Sequence, residues 1–129
     1  MTTAAVLPVQ PSTSTQSDTA AQLLARVFAG MSDPTRLRIL LLLLEQERNV
    51  SELVEAVGTS QGRVSMHLQC LRWCGFVTSE RRGKFVYYRV CDPRVRELIK
   101  LAQDMVVQHG EQLATCSVLN TASEQTGTE

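Results

Sequence analysis

The spacing of two short helical segments around Gly58 constrains the fold of this chain more than any other feature of the sequence. The first segment begins at Ser51 and carries apolar residues at helical spacing, and Gly58 follows it where a left-handed residue commonly ends a helix. The second segment begins at Thr59-Ser60 and runs to about Trp73, just before Gly75. Two helices joined by a tight turn that contains glycine predict a helix-turn-helix.

The flanking sequence extends this motif into a larger fold. Asp33-Pro34 and Asp92-Pro93 each combine an N-cap with a proline at the first helical position. The predicted elements are helices over 19–31, 35–46, 51–57 and 60–73, a β-hairpin over 77–90 with the basic tip Arg82-Gly83-Lys84, and a long helix from Pro93. We therefore predict a mainly α fold with a small β-hairpin, a winged helix-turn-helix with extra N- and C-terminal helices. The terminal helices are apolar on one side, which predicts a homodimer seam.

The two ends of the chain differ from its centre in composition. Residues 1–17 and 117–129 are rich in Thr, Ser and Gln without a helical or strand period, which predicts a disordered arm and a disordered tail around one domain at 18–116. The longest apolar run, Ile39 to Leu44, is far shorter than the roughly 20 residues that cross a bilayer. We expect a cytoplasmic protein with no membrane partner. No nucleophile–base pair, phosphate loop or acid pair is visible, so an enzyme is not expected.

The distribution of charge points to nucleic acid although the net charge is zero. Between Thr59 and Val90 there are six basic residues and one acidic residue. A basic face of this kind is the footprint of a modest DNA binder. On a helical projection of 60–73, Val64, Leu68 and Leu71 form the packing stripe. The opposite, polar flank carries small or amide side chains that suit base edges and phosphates, namely Gln61, Gly62, Ser65 and Gln69.

The cysteines supply a second candidate site. Cys70 and Cys74 are four residues apart on the second helix of the motif, so their β-carbons are expected roughly 5–6 Å apart. That separation is too wide for a relaxed disulfide, whose β-carbons lie about 3.8 Å apart, but it suits two thiolates on one soft metal ion. Cys116, near the C-terminus, could supply a third thiolate. Two cysteines in one helix can also be inert packing, and we interpret Cys91 as structural.

Several stretches of the sequence resemble the ArsR/SmtB family of metal-sensing repressors. These are Met31 to Leu40 (MSDPTRLRIL), Gln61 to Leu71 (QGRVSMHLQCL), Gly75-Phe-Val77 and the wing Arg82 to Arg89 (RGKFVYYR). The likeness covers about Ala20 to Cys116. It implies a homodimeric winged-helix repressor that leaves double-stranded operator DNA when an inducer binds. The DNA-contacting set predicted from the pattern and the resemblance together is Ser60, Gln61, Arg63, Ser65, His67, Gln69 and the wing residues Arg81, Arg82 and Lys84.

Within that family the cysteines resemble those of the CmtR-type cadmium- and lead-sensing subtype. The resemblance implies a metal site of Cys70, Cys74 and Cys116, with the third ligand from the same subunit or from its partner. Soft thiolates select Cd(II) or Pb(II), and the same sulfurs would accept Hg(II) or As(III). A thiol redox switch on Cys70 and Cys74 is the alternative trigger. A thiol oxidoreductase is disfavoured because the Cys-x-x-Cys spacing is absent.

Overall fold

The computed structural model describes the backbone of residues 14–120 and the side chains of residues 19–120. The described chain divides into two compact units that join at Cys91 and Asp92. The first unit contains, in order, α1 (Ser14–Ala29), α2 (Pro34–Glu45), β1 (Arg48–Asn49), α3 (Val50–Val57), α4 (Gln61–Trp73), β2 (Val77–Arg82) and β3 (Phe85–Val90). The second contains α5 (Pro93–Thr115) and a further helical turn over residues 117–120. The predicted mainly helical fold with a β wing is confirmed.

Both predicted aspartate caps begin their helices. The Asp33 carboxylate accepts the Arg36 N–H at 2.9 Å, and the Asp92 carboxylate accepts the Arg94 N–H at 3.0 Å. In each case a proline follows the cap, where its missing N–H costs nothing. The start of α3 differs from the prediction, because its cap is Asn49 rather than Ser51. Asn49 and Glu52 form a reciprocal capping box with two 2.9 Å bonds.

The sheet has one more strand than the sequence predicted. Its order is β1-β3-β2, all antiparallel, with Arg48 opposite Tyr88 and Asn49 opposite Tyr87. A two-residue strand carries no alternation of apolar and polar side chains, so its pairing could not be predicted from sequence. This strand ties the chain between α2 and α3 to the wing. Gly83 at the wing tip has φ 66°, a left-handed conformation that favours glycine.

The core of the first unit lies where α2, α3 and α4 pack on one another. The predicted packing stripe of α4 is confirmed, since Val64, Leu68 and Leu71 are completely buried. They share this core with the fully buried side chains of Ile39, Leu40 and Leu53. Because α4 is anchored along this stripe, its opposite side is presented to solvent. The turn before it is closed by Gly58, which has φ 81°.

The helices at the two ends of the described chain keep large apolar side chains exposed. α1 begins at Ser14, five residues before the predicted start, so only residues 1–13 of the predicted arm lie outside the described residues. Residues 121–129 of the predicted tail lie outside them as well. The exposed apolar side chains are Leu23, Leu24 and Phe28 on α1, and Leu101, Met105, Val106 and Val107 on α5. None of the helices within residues 14–120 has the length and apolar character needed to span a bilayer.

Candidate nucleic-acid interface and cysteine site

The exposed side of α4 carries most of the residues predicted to contact DNA. Ser60 caps the helix, and its hydroxyl accepts the Arg63 N–H at 3.2 Å. The other predicted members on this helix that are exposed are Gln61, Arg63, Ser65 and Gln69. A β-carbon at Gly62 would have no neighbour within 4 Å, so the backbone there is open to close approach. The helix therefore offers amide and hydroxyl groups, with one arginine, on a surface free of covering chain.

His67 differs from the other predicted DNA contacts because its side chain faces the protein. The residue is only 7 % exposed. Its Nδ1 lies 3.3 Å from a guanidinium nitrogen of Arg36, and its Nε2 lies 3.6 Å from the Asp33 carboxylate. Burial lowers the pKa of His67; Asp33 opposes the shift, and Arg36 and Arg63 add to it. A neutral imidazole that accepts from Arg36 at Nδ1 fits this arrangement. In this geometry the side chain of His67 is not presented to DNA.

The wing places its three predicted cations in different surroundings. Arg82 forms a two-pronged ion pair with Glu47 at 2.7 and 2.8 Å, bonds Glu80 at 2.9 Å, and lies 4.8 Å above the Tyr87 ring. The hydrogen bond to Arg82 lowers the pKa of Glu47. Arg81 donates to the Gly83 carbonyl at 3.2 Å, at the hairpin turn. Arg82 is thus committed to holding the wing, whereas Lys84 is exposed at its tip.

This difference gives an expected result for the wing. Lys84→Ala should weaken operator binding and reduce the slope of log affinity against log salt by about 0.9, because one phosphate contact is lost. Glu47→Gln makes the protein more positive, so simple charge attraction would strengthen DNA binding. We expect it instead to weaken binding by no more than about fivefold, the scale of an exposed ion pair, with the salt slope retained. Fluorescence anisotropy at several salt concentrations measures both; tighter binding in Glu47→Gln would contradict the positioning role of Arg82.

The last turn of α4 brings Cys70 and Cys74 together. Cys74 is the C-cap, and its N–H donates to the Cys70 carbonyl at 3.0 Å. The two thiols are also hydrogen-bonded to one another. Cys74 is exposed as a residue, yet its Sγ lies against the end of α1, since a β-carbon at Gly30 would be 3.0 Å from it. Burial of the sulfur and then the neighbouring Cys70 raise the pKa of Cys74, and Arg36 and Arg26 oppose the rise.

The other two cysteines lie elsewhere. Cys91 is exposed, follows β3, and its thiol donates to the Gly75 carbonyl at 3.5 Å. Cys116 is half-buried and forms the C-cap of α5, in the second unit. Among the described residues, no group of three or more His, Cys, Asp or Glu side chains is close enough to hold a metal ion. The single chain therefore contains the predicted pair but no preassembled three-ligand centre.

Two residues that the sequence did not single out complete this region. Arg36 was visible only as part of the Asp-Pro-Thr-Arg stretch, yet its guanidinium bonds the carbonyls of Ala29 and Gly30 as well as His67. Gly30 is buried between Cys74 and Phe76. The signal for Arg36 was its fixed distance from the Asp33 cap, which places it one turn into α2. Nothing local indicated that Gly30 would pack on a sulfur.

A buried helical core, an open recognition helix and a basic wing define the winged helix-turn-helix class of DNA-binding transcriptional regulators, and not a class of enzymes. Residues 33–79 match the model of the bacterial regulatory protein, arsR family. The chain is 44% identical over 101 residues to the probable mercury resistance operon repressor of Streptomyces lividans, covering 78% of this chain and 81% of that protein. The chain belongs to the ArsR family of bacterial regulatory proteins.

Two further likenesses are relevant to the site and to assembly. The transcriptional regulator CmtR of Mycobacterium tuberculosis is 36% identical over 107 residues, covering 81% of this chain and 91% of CmtR. A homodimeric winged helix-turn-helix DNA-binding domain of a possible ArsR-family regulator from Mycobacterium bovis superposes with a TM-score of 0.68 at 31% identity. That superposition covers 80% of this chain and 95% of the Mycobacterium bovis domain. Relatives thus include regulators named for mercury resistance and a regulator of the subtype that the cysteines resemble.

Proposed function

We propose that this chain is a metal-responsive transcriptional repressor that binds operator DNA as a homodimer and leaves it when a soft heavy-metal ion binds Cys70, Cys74 and Cys116. The observation that carries the proposal is the mutual contact of two thiols in the last turn of the recognition helix. This position joins a soft-ligand pair to the element that reads DNA. A change at the sulfurs acts directly on the helix that must fit the major groove.

The donor set fits a soft ion of the Cd(II) or Pb(II) kind. Thiolates are soft ligands and disfavour hard cations. The Cys74 thiol is protonated at neutral pH because its pKa is raised, so metal binding must release protons. Cys70 and Cys74 would hold the ion on the helix, and Cys116 would bring the residues after α5 to it. Because the pair alone leaves the coordination incomplete, the third sulfur is what turns binding into a conformational change.

Two features support the homodimer and its operator. The exposed apolar side chains of α1 and α5 need a cover that residues 14–120 of one chain do not supply. A second copy would supply it and would set two recognition helices at the spacing of two half-sites. By reciprocity, DNA must weaken metal binding by the same factor as metal weakens DNA binding.

Hg(II) is the second candidate inducer, favoured by the likeness to the Streptomyces lividans repressor. It would use the same sulfurs, and As(III) could do so as well. The thiol redox switch is a further alternative on Cys70 and Cys74. The four-residue spacing disfavours a disulfide within this pair, because the β-carbons on one helix face lie about 5–6 Å apart.

The proposal is tested by titrating the reduced protein with Cd(II), Pb(II), Hg(II) and As(III). Sulfur-to-metal ultraviolet absorption and operator release should rise together for the native inducer. In Cys116→Ser we expect weaker absorption and loss of release, since the pair can still bind but cannot draw in the residues around position 116. Unchanged induction in Cys116→Ser would remove that residue from the mechanism. Release by peroxide but by none of the ions would favour the redox switch.

A further inference from the structure

The guanidinium of Arg36 connects the end of α1 to the recognition helix. Its Nε donates to the Gly30 carbonyl at 2.8 Å, and its Nη2 donates to the Ala29 carbonyl at 3.1 Å. Its Nη1 lies 3.3 Å from Nδ1 of His67 on α4. One planar side chain thereby spans three helices, because its own backbone N–H is held by the Asp33 cap at the start of α2.

The α1 end of this connection is also the surface on which the cysteine pair rests. Gly30 is buried, and the space for a β-carbon there is closed by Cys74 Sγ at 3.0 Å and by the Phe76 ring at 3.1 Å. The carbonyl of the same residue is the acceptor of the shortest Arg36 bond. The guanidinium and the sulfur therefore meet at one residue. Consistent with this, Arg36 acts electrostatically on the Cys74 thiol, lowering its pKa against the larger effects of burial and Cys70.

The other end of the connection holds α4 through a buried group. His67 is the buried polar side chain of the recognition helix. Its Nδ1 accepts from Arg36, which leaves Nε2 to face the Asp33 carboxylate at 3.6 Å. A buried imidazole that loses this donor is left with an unsatisfied acceptor, which is costly inside a protein. The position of α4 relative to α2 therefore depends on where the guanidinium of Arg36 lies.

We propose that Arg36 is the positioning residue through which metal bound at the cysteine pair alters the recognition helix; this inference rests on the proposed function. Three thiolates around a divalent ion carry one net negative charge after their protons pass to solvent. That charge forms beside Gly30 and attracts the guanidinium toward the sulfurs. The bond to His67 is the longest of its three side-chain bonds and is the first to be weakened. His67 then loses its partner, and α4 is freed to leave the geometry that fits DNA.

The experiment compares operator affinity with and without Cd(II) in the full-length protein and its variants, alongside sulfur-to-Cd(II) absorption. The wild-type protein should show a coupling of about 5- to 150-fold. In Arg36→Lys, which keeps the charge but loses the planar fork, we expect unchanged absorption and a coupling below about threefold. Arg38→Lys is the matched control, an exposed arginine on the same helix, and should keep the wild-type coupling. A side chain with a merely structural role would alter stability or basal affinity without altering this ratio.

His67→Gln removes the other end of the connection and gives the answer if Arg36→Lys fails to fold. It should also lose the coupling, and the losses in the double variant should not add, because both changes break one contact. Full coupling in a folded Arg36→Lys, or in His67→Gln where Arg36→Lys does not fold, overturns the inference while the proposed function stands. Loss of absorption in Arg36→Lys also overturns it, because Arg36 would then belong to the metal site. No release from the wild-type protein by any ion overturns both.

Discussion

Replacing Cys74 with serine is expected to lower the affinity for Cd(II) by about 100-fold and to abolish metal-induced operator release. The estimate follows from the roughly 10–16 kcal/mol with which four-ligand thiolate and imidazole sites hold a structural metal, or about 3 kcal/mol for each ligand. Serine matches cysteine closely in size, so the contact at Gly30 is kept while the soft donor is lost. Competition with a chromophoric chelator measures the affinity, and anisotropy of labelled operator measures the release.

Cys91→Ser is the control for this substitution. Cys91 is exposed, lies in the same unit and bonds only a backbone carbonyl through its sulfur in the described structure. We expect it to retain both the Cd(II) affinity and the operator release of the wild-type protein. Undiminished Cd(II) affinity in Cys74→Ser would show that this sulfur is not a ligand. A loss in Cys91→Ser equal to that in Cys74→Ser would relocate the site toward the end of β3.

Leu68→Ala should destabilise the protein by about 2–5 kcal/mol, because a completely buried side chain on α4 is replaced by a cavity. This is a large share of the roughly 5–15 kcal/mol that stabilises a domain. Urea unfolding at one fixed protein concentration measures the change, which should shift the midpoint and leave the slope unaltered.

Gln69→Ala is the neighbouring control with the opposite pattern. Gln69 is exposed on the face predicted to contact DNA. Its replacement should change stability by less than about 0.5 kcal/mol and should weaken operator binding. Comparable destabilisation by the two substitutions would contradict the assignment of α4 to a buried stripe and an open face. Unchanged operator affinity in Gln69→Ala would remove this amide from the contacts with DNA.

The recognition helix could be predicted well because its determinants are local. Its apolar residues recur at helical spacing, Ser60 supplies the cap, and Gly58 and Gly75 bound the segment. The same reasoning correctly identified the Asp33 and Asp92 caps. It was wrong at α3, where Asn49 and not Ser51 is the cap. Both residues have the right chemistry, and only the pairing of Arg48 and Asn49 with β3 decides which one is available to turn the chain.

The predicted DNA-contacting set divides according to contacts that no local pattern reveals. Arg82 looks like a wing cation in the sequence, but its partner Glu47 is 35 residues away and holds it in the protein. His67 lies one position beyond the exposed Met66, so a small rotation of the helix decides whether it faces DNA or α2. The direction of that rotation depends on packing along the whole core.

The order and type of the elements, the buried stripe of α4 and the pairing of two thiols on one helix turn followed from the sequence alone. Each depends on residues within a turn or two of one another, where spacing and stereochemistry suffice. Tertiary structure alone decided that Arg36 reaches His67, 31 residues away, and that Gly30 supports the Cys74 sulfur. Contacts between distant segments depend on how whole helices pack, and the free energy of that packing is shared among many side chains.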